Sequence, residues 1–248
     1  MTAAVLKIIF VAFAFIGTFV SERQWPADVR SFGKNRIWRN LGLAFINFLL
    51  GPLLVLPISA YASTHGLGLR PSWWNLALDL LLLDLWIYGW HRINHVVPFL
   101  WRFHEVHHRD EMLDATTAVR FHFGEVVLSA LVRGVVIFIF SIPLNSVVIF
   151  EIVVALATLF HHSNLRLPFA FETQLSRLII TPRLHWIHHH AVRTDTDSNY
   201  ATILSCWDLV FKSRSPNARF AGMKLGVEGE ADLSLPQLLA RPFNHLGN

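Results

Sequence analysis

Long apolar runs separated by short polar segments make up most of the first two thirds of the chain. Their approximate limits are residues 3–20, 41–60, 73–90 and 126–160. The first three runs are close to the roughly 20 residues that an α-helix needs to cross the hydrocarbon core of a bilayer. The fourth contains Pro143 and Asn145 near its middle, so we expect two shorter helices that form a hairpin. The pattern predicts an all-α, polytopic bundle of membrane helices.

Composition supports the membrane location. Hydrophobic residues make up 53% of the 248 residues and charged residues only 15%, against about 25% charged in a typical soluble domain. The mean hydropathy is +0.43. The first run lacks a small-residue cleavage pattern, so we interpret it as a membrane helix rather than a signal peptide. The sequence contains no linker or repeat, and we expect one integral-membrane domain.

Basic residues predict the orientation of the bundle. The segment between the first two runs contains Arg23, Arg30, Lys34, Arg36 and Arg39, whereas the next loop contains only Arg70. Loops rich in lysine and arginine remain in the cytoplasm, and counting spans from there places the polar segments after residues 90 and 160 on the same side. Contact with anionic lipid explains the net charge of +4, so no nucleic-acid partner is expected.

Three histidine clusters lie in those polar segments. They are His91 and His95; His104, His107 and His108; and His185, His188 and His189. Residues three or four apart lie on one face of a helix, so each cluster can direct its imidazoles to one point. Eight such nitrogens exceed the four ligands of a tetrahedral zinc, which favours a centre with two metal ions. Cys206 is the only cysteine, so the ligands must be nitrogen and oxygen atoms.

Four further residues are candidates for the same centre. His161 and His162 follow the hairpin, and one of them is expected to be a ninth ligand, although the sequence does not choose between them. Asp84 lies two helical turns before His91 on the same face and can hydrogen bond a ligand imidazole. His122 is predicted to lie beside the ligands rather than to bind metal.

Local signals complete the prediction. Thr181 and Pro182 predict the N-cap and first residue of a short helix that carries the third cluster. His190 falls off the face of that cluster and is expected to face solvent, and His65 and His245 are isolated.

An arginine inside a membrane helix is costly and is usually paired. Arg133 lies in the first half of the predicted hairpin and Glu151 in the second half. The two residues are roughly equidistant from the turn. We therefore expect them to form a structural ion pair.

Ordered motifs over residues 84–211, about half of the chain, resemble the fatty acid hydroxylase and sterol desaturase superfamily. They are Asp84-x-x-x-Tyr88-x-x-His91-Arg92-x-x-His95, His104-x-x-His107-His108, Phe160-His161-His162-Ser163-Asn164, His185-x-x-His188-His189, Asp197-Ser198-Asn199-Tyr200 and Trp207-Asp208. The sequence departs from the family pattern at Arg120-Phe121-His122-Phe123-Gly124-Glu125, in place of Arg-x-His-Pro-x-Glu, and at Asn199-Tyr200-Ala201, in place of Asn-Tyr-Gly. No clustered histidine is missing.

The resemblance implies a membrane bundle beneath a cytosolic, histidine-rich cap that holds two iron ions, which zinc can replace during expression. It implies O2-dependent hydroxylation or desaturation of a lipid, and it adds Asn199 to the residues beside the ligands. N-terminal membrane helices would occupy residues 1–83, the histidine-box region residues 84–211 with the hairpin at about 126–160, and a cytosolic tail residues 212–248. Zinc cannot activate O2, whereas two irons can share the electrons needed to cleave it.

Several matters stay open in the sequence. The lipid can be a sterol, a fatty acyl chain or a related molecule, and hydroxylation is not separated from desaturation. No Gly-rich dinucleotide fingerprint is present. We therefore expect electrons from a separate ferredoxin- or cytochrome-type protein.

Two other classes compete with this interpretation. His104-Glu105-Val106-His107-His108 also satisfies His-Glu-x-x-His, in which a glutamate serves as the base of a zinc protease, and Glu105 would otherwise be a surface residue. A non-enzymatic haem-binding electron carrier would use histidine pairs from different helices. Both alternatives leave most of the clustered histidines without a role.

Overall fold

The apolar runs form the helices that the sequence predicts. The computed structural model describes residues 3–30, 33–220 and 222–244, so His245 lies outside the described residues. The described part is helical and contains no β-strand. Its helices are α1 (Ala3–Gln24), α2 (Lys34–Leu50), α3 (Leu56–Thr64), α4 (Leu76–Val96), α5 (Pro98–His108), α6 (Phe123–Phe140), α7 (Leu144–His162), α8 (Phe169–Leu175), α9 (Pro182–His188), α10 (Arg193–Thr196), α11 (Cys206–Val210) and α12 (Leu235–Ala240).

Among the residues that the structure describes, three helical segments are long and apolar enough to cross a membrane: Lys34–Thr64, α6 and α7. In the first, a π-helical turn (Gly51–Val55) joins α2 to α3 and contains Pro52. A local change of helix type is a common response to a proline, which cannot donate the usual main-chain hydrogen bond. The predicted hairpin is confirmed. Ser141 takes a left-handed conformation at the end of α6, and Pro143 precedes α7.

Helices α1 and α4 lie alongside α7, and α4 also contacts α6. The bundle core between them is built from buried apolar side chains that include Leu83, Ile137 and Phe150. Because α4 and α7 run side by side and end at the same level, their last turns bring His91, His95 and His162 to one end of the bundle.

A buried polar network fastens the start of α2 to the segment that follows α5. Arg36 is 4% exposed and donates hydrogen bonds to Asp110, Asp114 and the carbonyl oxygen of Met112. Asn40, one helical turn later, donates to Asp110 as well. A buried guanidinium is tolerated only when its donors and charge are satisfied, and here both conditions are met.

A second buried arginine extends this network to the C-terminal part of the chain. Arg120 donates to the carbonyl oxygen of Val106 in α5 at 2.8 Å, to Asn40 at 2.9 Å and to Asp232 at 2.5 Å. It thereby joins three segments that are distant in sequence. The network forms a rigid polar cap at the end of the bundle that carries the histidines.

The expected ion pair inside the hairpin is confirmed. Arg133 donates to Glu151 at 2.8 Å, and Lys7 of α1 forms a second ion pair with the same carboxylate. All three side chains are largely shielded, with exposures of 11% for Arg133, 20% for Glu151 and 29% for Lys7. One carboxylate therefore compensates two cations, and the cluster joins α1, α6 and α7.

This arrangement predicts that Glu151 contributes more to stability than Arg133. Glu151→Leu leaves two cations without a counter-charge, and we expect it to cost about 3–5 kcal/mol of the free energy of unfolding. Arg133→Leu leaves the Lys7–Glu151 pair intact and serves as the matched control. Thermal unfolding of the purified protein in detergent measures both changes, and an equal or larger loss in Arg133→Leu would contradict the role of the shared carboxylate.

The orientation of the bundle can be tested by cysteine labelling in intact cells on a Cys206→Ser background. Lys34, Leu69 and Thr194 are all exposed. We expect a membrane-impermeant reagent to label Leu69→Cys, but not Lys34→Cys or Thr194→Cys until the cells are permeabilised. Gly66 is unsuitable as the outer probe, because a side chain there would clash with the turn after α6. External labelling of Thr194→Cys would reverse the proposed orientation.

Candidate metal centre

The histidine clusters come together at the end of the bundle where α4 and α7 end. The other clustered histidines lie along α5 and α9. The described residues form two groups of histidines, and within each group the ligand atoms lie within 4.8 Å of one another. Group 1 consists of His91, His95, His104, His108 and His188, and group 2 of His107, His162, His185 and His189. All eight residues of the three predicted clusters belong to these groups, and the ninth is His162.

Within each group, Nε2 atoms of different histidines face one another at short distances. In group 1, Nε2 of His188 lies 3.0 Å from that of His91. In group 2, Nε2 of His162 lies 3.0 Å from that of His107 and 2.9 Å from that of His185. These separations match two nitrogens bound at right angles to one metal ion, which stand about 3.0 Å apart when each bond is roughly 2.1 Å.

Hydrogen bonds at the other ring nitrogen fix the tautomers. Nδ1 of His91 lies 2.7 Å from the carbonyl oxygen of Tyr200, and Nδ1 of His188 lies 2.6 Å from that of Ser198. A carbonyl oxygen only accepts, so each Nδ1 must carry the proton and a neutral ring then has an unprotonated Nε2. The two facing Nε2 atoms therefore present lone pairs to each other. The same holds in group 2, where His107 and His162 donate to main-chain carbonyl oxygens at 3.1 and 2.8 Å.

Protonation does not relieve this repulsion. Burial, together with the neighbouring imidazoles, lowers the pKa of His107, His108, His188 and His189 well below the ordinary value of histidine. The rings are thus held neutral with their lone pairs directed inward. Such an arrangement needs a cation, and the donor set fits a metal ion in each group.

Two carbonyl oxygens that orient group 1 flank a single strained residue. Asn199 has a positive φ of 51°, and its side chain donates to the carbonyl oxygen of Leu184 and accepts from the N–H of Ser215. Ser198 and Tyr200, on either side of it, supply the acceptors for His188 and His91. Asn199 therefore holds the loop that aligns two rings of group 1.

Two carboxylates also contact group 1. Glu125, in the first turn of α6, lies 2.8 Å from Nδ1 of His104, and Asp197 lies 3.3 Å from Nδ1 of His95. Carboxylates that accept from a ligand imidazole fix its tautomer and raise its basicity. Sequence reasoning placed both residues within motifs but assigned neither of them a role.

Comparison with known proteins identifies the family. The model of the fatty acid hydroxylase family matches residues 76–213, which is more than half of the chain. The chain belongs to the fatty acid hydroxylase family. The matched residues contain all nine histidines of the two groups. No solved structure matches the chain.

Several curated relatives are lipid hydroxylases. Ornithine lipid hydroxylase OlsE of Rhizobium tropici is 26% identical over 200 residues, which cover 79% of this chain and 60% of that protein. Alkylglycerol monooxygenase of Danio rerio is 31% identical over 154 residues, covering 59% of this chain and 31% of that protein. A cholesterol 25-hydroxylase-like protein of the same fish is 28% identical over 184 residues, covering 71% of each chain. The chain thus spans less than two thirds of the first two relatives.

Two residues predicted to lie beside the ligands have other partners. Asp84 accepts from the indole N–H of Trp207 at 2.8 Å and from the N–H of Leu204 at 3.2 Å, and so anchors the segment before α11 instead of a clustered imidazole. His122 is the N-cap of α6, and its Nε2 hydrogen bonds to the carbonyl oxygen of Leu239. The expectation that these side chains hydrogen bond the ligands is therefore replaced by a structural role.

His161 and His162 separate clearly. His162 joins group 2, whereas His161 stays outside both groups and packs its ring 4.0 Å from that of His185. His190 is half-buried and pairs with Asp195 at 2.7 Å, so the expectation that it faces solvent is wrong. Pro182 begins α9 as predicted, although the Thr181 side chain makes no capping hydrogen bond.

Glu105 does not face the histidines. It is 3% exposed and forms ion pairs with Arg109 at 3.3 Å and with Arg241 at 2.8 Å, so the expectation of a surface position is wrong. His104 and His108, the histidines of the protease-like motif, lie together with three other histidines in group 1. Neither the family nor this geometry supports the protease or the haem carrier.

The two adjacent histidines make a matched test of the ligand set. We expect His162→Ala to lower the metal content from about two ions per chain to about one and to abolish activity, because group 2 loses one of its four donors. His161→Ala removes a ring of the same size and depth but should retain both metals. Elemental analysis of the purified variants measures the difference. Equal metal loss in both variants would contradict the assignment of His162.

Proposed function

We propose that the protein is an O2-dependent hydroxylase of a membrane lipid that uses two iron ions, one in each histidine group. The observation that carries the proposal is the convergence of nine buried imidazoles, four of which direct an unprotonated Nε2 inward because their Nδ1 donates to a carbonyl oxygen: His91, His188, His107 and His162. Membership of the fatty acid hydroxylase family supports the same conclusion.

The number and spacing of the donors favour iron over zinc. Group 1 offers five nitrogens, one more than a tetrahedral zinc site takes. Tetrahedral angles with bonds of roughly 2.1 Å would separate two nitrogens by about 3.4 Å, whereas Nε2 of His108 lies 3.2 Å from that of His104 and the closest pair of group 2 is 2.9 Å apart. Right-angled coordination with open positions is typical of a redox metal that reacts with O2.

Iron bound in the two groups would supply the activation of O2 that the insertion of oxygen into a C–H bond requires. Hydroxylation then consumes one O2, two electrons and two protons, and it yields one hydroxyl group and one water. The protein residues hold the donors rigidly: Glu125 and Asp197 fix rings in group 1, and Arg120 of the buried network donates to α5 and supplies the carbonyl oxygen that accepts from His107. Since the sequence contains no Gly-rich dinucleotide fingerprint, we infer that a separate one-electron carrier supplies the electrons.

The position of the groups suggests the kind of substrate. His91 and His162 lie at the ends of helices whose preceding turns are apolar and lie in the bundle, so a hydrocarbon chain can approach the centre without leaving an apolar environment. The named relatives act as lipid hydroxylases or monooxygenases, which favours hydroxylation over desaturation. We propose a lipid with a long apolar chain as the substrate and place the centre at the cytoplasmic face, in agreement with the basic first loop.

The proposal can be tested with purified protein loaded with iron under anaerobic conditions. We expect about two irons per chain and, after supply of electrons, a hydroxylated lipid that carries one oxygen atom from labelled O2. His188→Ala removes one donor from group 1 and His107→Ala removes one from group 2, so each variant should lose iron and form no product. His190→Ala, outside both groups, should retain the iron and the activity. Product formation in His107→Ala or His188→Ala at the normal rate would overturn the proposal.

A further inference from the structure

One aromatic side chain connects the histidines of group 1 with the surface. The ring of Trp101 in α5 lies 5.0 Å from that of His95 and 5.3 Å from that of His108, measured between ring centroids. Trp101 is half-exposed, whereas both histidines are buried. The indole therefore contacts two candidate metal ligands on its inner side and reaches the surface on its outer side.

The guanidinium group of Arg193 stacks over the ring of Trp101. The guanidinium carbon of Arg193 lies 4.4 Å from the ring centroid, and the side chain is 44% exposed. Arg193 also donates to the carbonyl oxygen of His95 at 3.0 Å and pairs with Asp197 at 2.7 Å. It is thus held in place over Trp101 by the end of α4.

Exposed apolar residues lie in the adjoining corner of the fold. Val96, Val97 and Phe99, in the corner between α4 and α5, are 67%, 38% and 55% exposed. Arg102 adjoins Trp101 along α5. An apolar centre with a charged rim is typical of protein interfaces.

Arg92 completes the rim. Arg92 is exposed and donates to the Tyr88 hydroxyl at 3.4 Å. The Tyr88 ring contacts that of Tyr200, which in turn contacts the ring of His95, the residue whose carbonyl oxygen Arg193 binds. In the part of the chain that the structure describes, no carboxylate lies within 4 Å of Arg92 or Arg102. Their charges are available to a partner.

We propose that this surface, formed by Arg92, Val96, Val97, Phe99, Trp101, Arg102 and Arg193, is the docking site of an acidic one-electron carrier protein, with Trp101 as the entry point for electrons. The inference rests on the proposed oxygenase function. In each encounter the carrier is oxidised by one electron and the centre is reduced by one, so two encounters supply the two electrons of one turnover. Complementary charges accelerate such encounters and make them sensitive to salt.

The test uses the iron-loaded protein in detergent and a reduced plant-type [2Fe–2S] ferredoxin as the acidic probe, with its oxidation followed anaerobically by stopped-flow absorbance. The double variant Arg92→Gln/Arg102→Gln should raise the Kd for ferredoxin roughly tenfold at low ionic strength, and the difference should vanish at high salt. The matched control is Arg166→Gln/Arg177→Gln, which removes two exposed arginines outside the surface and should leave the Kd unchanged.

Trp101→Leu separates binding from electron transfer. It should leave the Kd for ferredoxin nearly unchanged but lower the saturating rate of ferredoxin oxidation per bound iron severalfold. Trp73→Leu, at an exposed tryptophan before α4, is the control. An unchanged saturating rate in Trp101→Leu would overturn the role of this side chain.

Reduced methyl viologen, a small and positively charged reductant, distinguishes the two proposals. If it also fails to reduce the wild-type centre, the proposed function fails. If it reduces the wild-type protein while ferredoxin does not, or if the arginine variants respond to ferredoxin as the wild type does, the docking proposal is wrong. A surface that contacts lipid head groups instead would change stability in anionic nanodiscs and leave ferredoxin oxidation unaltered, which overturns the proposal as well.

Discussion

The rest of the structure depends on one constraint: the lone pairs of several buried imidazoles converge inside the polar cap. Neutral rings with facing Nε2 atoms 3.0 Å apart repel each other, so the fold must hold them together against that force until a cation compensates it. The main-chain acceptors of Ser198 and Tyr200 and the carboxylate of Glu125 do so by fixing the opposite side of each ring. The buried arginine network then prevents the segments that carry these acceptors from moving apart.

The same constraint explains why the polar cap is so heavily bonded. A loop over a membrane bundle has little apolar area with which to hold its position, because the apolar faces of the helices are used against lipid and one another. Arg36 and Arg120 substitute for such packing. Each is nearly inaccessible to water and donates to segments that lie far apart in sequence. A buried network of this kind is stable only when it is complete, so it fixes one arrangement of α2, α5 and the C-terminal segment.

The helices and the set of histidines could be predicted from local patterns, because apolar length and i, i+3, i+4 spacing are properties of short segments. The division of the histidines could not. The spacing of His104, His107 and His108 suggested one common point, yet α5 runs between the two groups, so that His104 and His108 face one group and His107 the other. The acceptor of His91, the carbonyl oxygen of Tyr200, lies 109 residues away along the chain, and that of His188, the carbonyl oxygen of Ser198, lies 10 residues away. Burial of Glu105 depends on Arg241 near the end of the chain, which no local pattern reveals.

The two groups are chemically unequal, and the inequality follows from what lies behind each ring. Group 1 has five donors, two of them backed by the carboxylates of Glu125 and Asp197. Group 2 has four donors, and its known acceptors are neutral carbonyl oxygens. Because a carboxylate makes the imidazole before it more basic, the rings of group 1 would be the stronger donors to a metal ion. Trp101 contacts His95 and His108, both of group 1. Electrons that enter at Trp101 would thus reach the group with the carboxylate-backed rings.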